Sequence, residues 1–168
     1  LRTKWKPEED AGNGESVRTE LESVLSGYSE ARSSQSFGKQ SPMYQRFEGI
    51  EEAFRKSELL RRRSTLKVVA SPGQGNWAAV PWIAFLDPGE TTTTQKGVYC
   101  VYLFREDMSG VYLTFNQGVT QPTRELGWRA AEVELKDTAA RLRARFPELA
   151  GQGFSIGDDI DLRAHGDL

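Results

Sequence analysis

The sequence predicts an α+β domain with a mixed, largely antiparallel β-sheet, N-terminal helices and one long C-terminal helix packed against the sheet. Apolar residues recur at helical spacing in residues 17–28, 44–54 and 123–146. Between these stretches lie short apolar runs bounded by Gly, Pro, Asp and Asn, a pattern typical of strands. The order of helices, then strands, then a helix lacks the alternation of a parallel βαβ fold.

The N-terminal part predicts two helices separated by a Ser- and Gln-rich loop. The first helix is expected to have Asn13 as its N-cap and to end at Gly27. The second is expected to begin at Pro42, since proline suits the first turn of a helix. We expect both apolar stripes to pack in the core. They comprise Val17, Leu21, Val24, Leu25 and Tyr28 in the first helix, and Tyr44, Phe47, Ile50 and Phe54 in the second.

The middle of the chain predicts strands joined by turns, and the C-terminal part a single helix. That helix is expected to be stopped by Pro147, which cannot continue it. A glycine-rich loop over residues 71–76 separates the first two strands. The predicted strands cover residues 65–70, 80–86, 98–104 and 111–116, with one more short strand possible within residues 153–162.

Length and composition favour one globular domain of 168 residues, with a frayed start over residues 1–14 and the domain itself over residues 15–168. Because the chain begins at Leu1, we expect it to be part of a longer protein. It has one cysteine and no apolar run of membrane-spanning length, so we expect a cytoplasmic protein without membrane contact. The net charge of −2 means that any DNA affinity must come from a local basic patch.

The residues offer little for catalysis. His165 is the only histidine and lies in the tail, so no ordinary Ser-His or Cys-His pair is expected. Cys100 lies between apolar neighbours and is expected to be a small buried hydrophobe. One cysteine and one histidine cannot form a zinc cluster. We therefore expect no cofactor, no metal and no catalytic residue in this domain.

Carboxylates remain as the basis of an alternative function. Asp158, Asp159 and Asp161 could hold a hard cation, although a solvated acidic loop is the commoner outcome. Glu134 and Lys136 resemble part of a divalent-metal nuclease core, but they fall within a helical pattern where that core requires a strand.

Binding is better supported, because aromatic residues concentrate beside the glycine-rich loop. Trp77 follows the turn and is expected to point outward, and Trp82 follows Pro81. Exposed rings can stack on bases, and nearby cations can contact phosphates. A peptide or carbohydrate groove would use similar residues, so this pattern alone leaves those ligands open. The densest basic run comprises Arg61, Arg62, Arg63 and Lys67.

Three segments carry a resemblance to a known family. They are the run from Gly73 through Gln-Gly-Asn-Trp-Ala-Ala-Val-Pro-Trp-Ile-Ala-Phe to Leu86, the run Gly97-Val-Tyr-Cys-Val-Tyr-Leu-Phe104, and the run Val111-Tyr-Leu-Thr-Phe-Asn-Gln-Gly118. Together they resemble the N-terminal DNA-binding domain of McrB-type restriction enzymes over residues 64–123. One departure is Gln74, which stands where the best-known pattern has an aromatic residue.

The resemblance implies a domain that recognises 5-methylcytosine or a derivative such as 5-hydroxymethylcytosine in duplex DNA by flipping the base into a pocket. Its implied partner is a nuclease or a nucleotide-driven effector. By motif position, Trp82 and Tyr99 match the pocket aromatics and Leu103 the aliphatic residue that limits the pocket. The expected phosphate contacts are the basic run named above. The DNA-contacting loop is expected to comprise Gly73, Gln74, Gly75, Asn76 and Trp77.

Three alternatives stay open beside this expectation. The domain could read another DNA modification, in keeping with the amide at Gln74. It could bind a peptide in its aromatic groove. It could also be a magnesium-dependent nuclease whose activity requires Glu134.

Overall fold

The computed structural model describes residues 11–157 and 159–164, with side chains from residue 17 onward. Five helices flank four strands in the predicted α+β order. Residues 1–10 of the predicted frayed start lie outside the described residues, and so do Asp158 and His165. The elements are α1 (Ala11–Ser34), α2 (Pro42–Lys56), α3 (Glu58–Arg62), β1 (Lys67–Gly73), β2 (Trp77–Leu86), β3 (Val98–Phe104), β4 (Val111–Gln117), α4 (Thr120–Leu126) and α5 (Trp128–Arg145), followed by a 3-10 helix (Pro147–Gln152).

The first helix is longer than predicted at both ends. It begins at Ala11, so Asn13 lies within it, and it continues through Gly27 to Ser34. The apolar stripe extends to Ala31, which is buried. Gly27 has a packing role, because a Cβ there would lie 3.1 Å from Met43 Cε of α2. This glycine permits a close approach of two helices and does not end the first.

The second helix begins at Pro42, as predicted, and buries one face. Its start is supported by Gln35, whose Oε1 accepts hydrogen bonds from Ser41 Oγ at 2.6 Å and from the Met43 backbone N–H at 3.3 Å. Ser57 ends α2 and caps the unpredicted α3, since its Oγ accepts from the Leu60 N–H. The buried residues of α2 are Met43, Phe47, Ile50 and Phe54.

The four strands form an antiparallel meander in the order β1-β2-β3-β4. β3 has the predicted bounds, and β2 begins three residues earlier than predicted, at Trp77. Both helices α1 and α2 pack on one face of the sheet, where Tyr28, Phe47, Ile83 and Phe104 are buried together. We call this the helix-covered face. It holds the larger of the two hydrophobic clusters.

The predicted C-terminal helix is two helices. Gly127 has φ +78°, outside the right-handed helical region, and its N–H closes α4 by donating to the Thr123 carbonyl. A second prediction was also wrong, because residues 153–157 and 159–164 form no strand. The Leu162 carbonyl instead accepts a single hydrogen bond from the Glu106 N–H. None of the described helices is long and apolar enough to cross a bilayer.

Candidate nucleic-acid interface

The second face of the sheet carries no α1 or α2 packing, and we call it the helix-free face. Alternation along the strands places a row of four side chains across it near the β1–β2 turn. Register pairs Ser71 with Trp82, Trp82 with Leu103, and Leu103 with Tyr112. All four are half-buried, so this row is accessible to a ligand. We call it the Trp82 row.

The next row of the same face has shorter side chains than the Trp82 row. Ala84 pairs with Val101, and both are buried. Tyr99 lies one row further, four residues from Leu103 along β3, which is roughly 13 Å at about 3.3 Å per residue. Trp82 and Leu103 nevertheless pack against the same small cluster as Tyr99. The structure therefore places the three predicted pocket residues on one face and in one cluster.

Tyr99 closes that cluster at the β2–β3 loop. Its side chain is 8% exposed, and its hydroxyl donates to the Thr94 carbonyl at 3.1 Å. Burial raises the pKa of Tyr99 above its ordinary value, and the neighbouring Asn116 side chain partly opposes the shift. Tyr99 is thus a neutral phenol beneath a loop, whereas Trp82 retains part of its surface.

The glycine-rich loop forms the tip of the β1–β2 hairpin, at the same end of the sheet as the Trp82 row. Gly73 and Gly75 have φ values of +143° and +71°, which other residues rarely adopt. A Cβ on Gly73 would lie 1.9 Å from the Asn76 carbonyl oxygen. Gln74, Gly75 and Asn76 are exposed, so the tip presents polar groups and bare backbone to its surroundings.

Trp77 does not point outward as the sequence predicted. Its ring is 8% exposed and lies on the helix-covered face, with ring centroids 5.7 Å from Tyr28 and 5.2 Å from Phe37. Its Nε1–H donates to the Gln35 carbonyl at 2.9 Å. The turn is shorter than the sequence suggested, so Trp77 belongs to β2 and faces the core.

The basic run lies at the opposite end of β1 from the hairpin tip. Lys67 begins the strand, and Gln74 lies seven positions further along the chain, roughly 23 Å at about 3.3 Å per residue. Arg61, Arg63 and Lys67 are exposed and have no ion-pair partner within the described part of the chain. Arg62 forms an ion pair with Glu58 on α3. The predicted phosphate contacts and the predicted DNA-contacting loop therefore lie at opposite ends of β1.

Tyr112 lies in the Trp82 row although no pattern in the sequence assigned it to the site. It completes the Trp82 row on β4 beside Leu103. The signal was present, because Tyr112, Thr114 and Asn116 alternate with apolar residues and so share one strand face. What was missing was the register that brings this face next to Trp82.

The candidate catalytic residues lie apart. Cys100 is half-buried, and burial raises the pKa of its thiol, which disfavours the thiolate. Glu134 and Lys136 lie on the helix α5, exposed to solvent, and Lys136 pairs with Glu132 at 2.7 Å. Among the described residues, no three acidic, His or Cys side chains are placed to hold a metal ion.

The fold and the site define an α+β domain whose meander sheet is covered by helices on one face and half-open on the other. The chain belongs to the family of MrcB-like N-terminal domains, whose family model matches residues 23–168. This match confirms the resemblance found in the sequence and extends it far beyond residues 64–123. No curated protein and no solved structure matches the chain.

Proposed function

We propose that this domain binds duplex DNA and reads a modified cytosine that is flipped out of the duplex onto the helix-free face. The observation that carries the proposal is the Trp82 row, a half-buried indole and an aliphatic side chain next to an exposed glycine hairpin. Membership of the MrcB-like N-terminal family supports a role in targeting a restriction effector. In this proposal the domain itself supplies recognition, and a separate cytoplasmic nuclease or nucleotide-driven effector supplies cleavage.

The indole of Trp82 is proposed as the stacking platform. Extruding a base costs a few kcal/mol of unpairing and unstacking, and stacking on an aromatic ring returns about 1–3 kcal/mol. Leu103, directly across the strand pair, would contact a 5-methyl group. Burial of one such carbon contributes about 0.8 kcal/mol, so the methyl group alone gives modest discrimination.

Tyr99 is proposed as the second wall of the pocket. Because its ring lies beneath the β2–β3 loop in this structure, a base can reach it only after the hydroxyl leaves the Thr94 carbonyl. We propose that DNA binding shifts this loop. Ala84 and Val101, which lie between Trp82 and Tyr99 on this face, would then form the floor of the pocket.

The duplex is proposed to span the length of β1. The hairpin tip at Gln74 approaches the flipped base, and Arg61, Arg62, Arg63 and Lys67 contact phosphates at the other end. A separation of roughly 23 Å matches about seven base-pair steps of 3.4 Å, so one duplex can reach both. Such contacts make binding salt-dependent. The Gln74 amide, exposed at the tip, is positioned to hydrogen-bond a base edge and so to select among cytosine derivatives.

The test is a mobility-shift titration with duplexes that differ only at one cytosine: unmodified, 5-methyl or 5-hydroxymethyl. We expect Trp82→Ala to reduce the affinity for the preferred modified duplex by about 5- to 140-fold, which corresponds to the loss of about 1–3 kcal/mol of stacking. Weak, salt-sensitive binding of unmodified DNA should remain.

The matched control is Trp128→Ala, because Trp128 is 65% exposed, lies on α5 and belongs to neither hydrophobic cluster of the sheet. This variant should bind every duplex as the wild type does. Equal losses on modified and unmodified duplexes for Trp82→Ala would contradict the pocket assignment. No retention of any duplex at low salt would contradict DNA binding itself.

A further inference from the structure

A groove of about 630 Å³ lies between α3 and the outer edge of β1, outside the surface assigned to the flipped base. Its volume is in the range of ordinary ligand sites. Leu60 and Val68 are buried at its floor, and Leu66 is half-buried beside them. The lining residues are Arg55, Leu60, Arg61, Ser64, Leu66, Lys67, Val68 and Val69.

The groove opens on an unpaired strand edge. β1 is the first strand of the sheet, so its outer side has no neighbouring strand. Two outward groups of β1 are already bonded: the Ala70 N–H donates to Glu51 Oε1 at 2.7 Å, and the Pro72 carbonyl accepts from Tyr28 Oη at 2.7 Å. In an antiparallel ladder every second residue points its backbone groups to the same side. The N–H and carbonyl of Val68 therefore point outward as well, into the groove.

Val68 is the position where this edge is left open. No other described residue bonds its outward N–H or carbonyl, whereas the Glu51 side chain occupies the next position along. Sheet edges left open next to an apolar depression are sites at which a further strand can pair. The open edge and the apolar floor meet at one residue, since Val68 supplies both.

The rim of the groove is cationic. Arg55, Arg61 and Lys67 line it, and none of its eight lining residues is acidic. Arg55 is paired with Glu51 and Glu52, which leaves Arg61 and Lys67 as the uncompensated charges. An occupant that matches this surface has backbone groups for the edge, apolar side chains for the floor and carboxylates for the rim.

We propose that this groove binds an extended acidic segment of a partner polypeptide, which adds to the outer edge of β1 as a further strand. Alternating residues of such a strand face opposite sides, so apolar side chains can fill the floor while acidic ones meet Arg61 and Lys67. A phosphodiester backbone would engage the cations but would gain nothing from the buried floor or from the Val68 carbonyl. The restriction effector inferred above is the natural source of this segment.

The experiment uses a fluorescein-labelled peptide of alternating glutamate and valine, about six residues long, the usual length of a strand. Its binding to the whole chain is followed by fluorescence anisotropy, beside a peptide in which lysine replaces glutamate. We expect the acidic peptide to bind and the lysine peptide not to bind. The Lys67→Glu variant should lower the affinity for the acidic peptide by about tenfold or more, because the substitution reverses a charge at the rim.

Val68→Pro is the decisive variant. Proline removes an N–H that faces outward from an edge strand, where proline is tolerated, and so removes the docking donor. We expect Val68→Pro to lower the affinity for the acidic peptide by about tenfold relative to Val68→Ala, which controls for the lost side-chain volume. Thermal unfolding of both variants shows whether the fold is kept, and Lys67→Glu tests the proposal independently if it is not.

Two results would overturn the proposal. The first is no binding of the acidic peptide by the wild type. The second is peptide binding that Val68→Pro leaves unchanged, which would mean that the cations alone hold the peptide and that no strand is added. Arg61 and Lys67 are also the proposed phosphate contacts, so duplex DNA and the peptide are expected to exclude each other at this end of β1. The flipped-base proposal is tested separately, because Val68→Pro should leave the preference for a modified duplex as it is.

Discussion

The two faces of the sheet differ in how deeply their side chains are buried and in how much of their surface a ligand can reach. On the helix-covered face, Tyr28, Phe47 and Phe104 are almost fully buried and pack edge-to-face. On the helix-free face, the cluster is smaller, and Trp82 and Leu103 remain half-buried at its border. Burial of apolar area is the main stabilising contribution in folding. The first face therefore carries most of the stability, and the second is free to bind.

The largest expected change is the loss of stability caused by Phe47→Ala on the helix-covered face. Phe47 is 1% exposed and touches both Tyr28 and Phe104, so its removal leaves a cavity between helix and sheet. We expect a loss of about 3–5 kcal/mol of unfolding free energy. Urea denaturation measures it. Leu103→Ala is the comparison on the helix-free face, because Leu103 is only half-buried at the border of the smaller cluster and should cost about 1–2 kcal/mol. Similar losses for both would remove the distinction between the two regions.

A smaller loss is expected from Tyr28→Phe. The Tyr28 hydroxyl shares its one hydrogen between the Pro72 and Ala78 carbonyl oxygens, at 2.7 and 2.9 Å, and so links the β1–β2 hairpin to α1. Without the donor, two carbonyls lose a partner, at a cost of about 1–3 kcal/mol. Denaturation at neutral pH, compared with the wild type, gives this value directly.

The same substitution changes the response to alkali. Burial raises the pKa of Tyr28 well above its ordinary value. A raised pKa contributes stability that is complete below the unfolded value, near about pH 10, and is lost as pH rises through the folded value. We therefore expect Tyr28→Phe to lose less stability than the wild type between neutral pH and about pH 11. Tyr99, Tyr102 and Cys100, whose pKa values burial also raises, contribute to the loss that remains. An unchanged alkaline loss would show that Tyr28 does not titrate differently in the two states.

The smallest effect is expected from Lys67→Ala, on the basic end of β1. Lys67 is exposed, so the fold should be unaffected. If it contacts a phosphate, the slope of log affinity against log salt should fall by about 0.9. Lys136→Ala serves as the control, because Lys136 lies on α5 and is paired with Glu132. A slope that changes equally in both variants would place the phosphate contact elsewhere.

Much of the fold followed from periodicity in the sequence. The bounds of β3 and the start of α2 were predicted, because an apolar strand run and a proline in the first turn are local signals. The role of Gly27 was not, since the same residue that ends many helices here allows Met43 of another helix to approach. The break at Gly127 was not predicted either, because a helical pattern continues on both sides of it.

The sequence by itself determined the α+β class and the family, and it supplied Trp82, Tyr99 and Leu103 as candidates for the site. Only the tertiary structure decided which of them are exposed. Trp77 and Trp82 lie five positions apart on one strand, and that odd spacing sends them to opposite faces, the first against the helices and the second to the open surface. Burial of Tyr99 beneath the β2–β3 loop and the open edge of β1 at Val68 likewise depend on how the loop and the strands are arranged in space, because exposure is set by neighbours that no local pattern specifies.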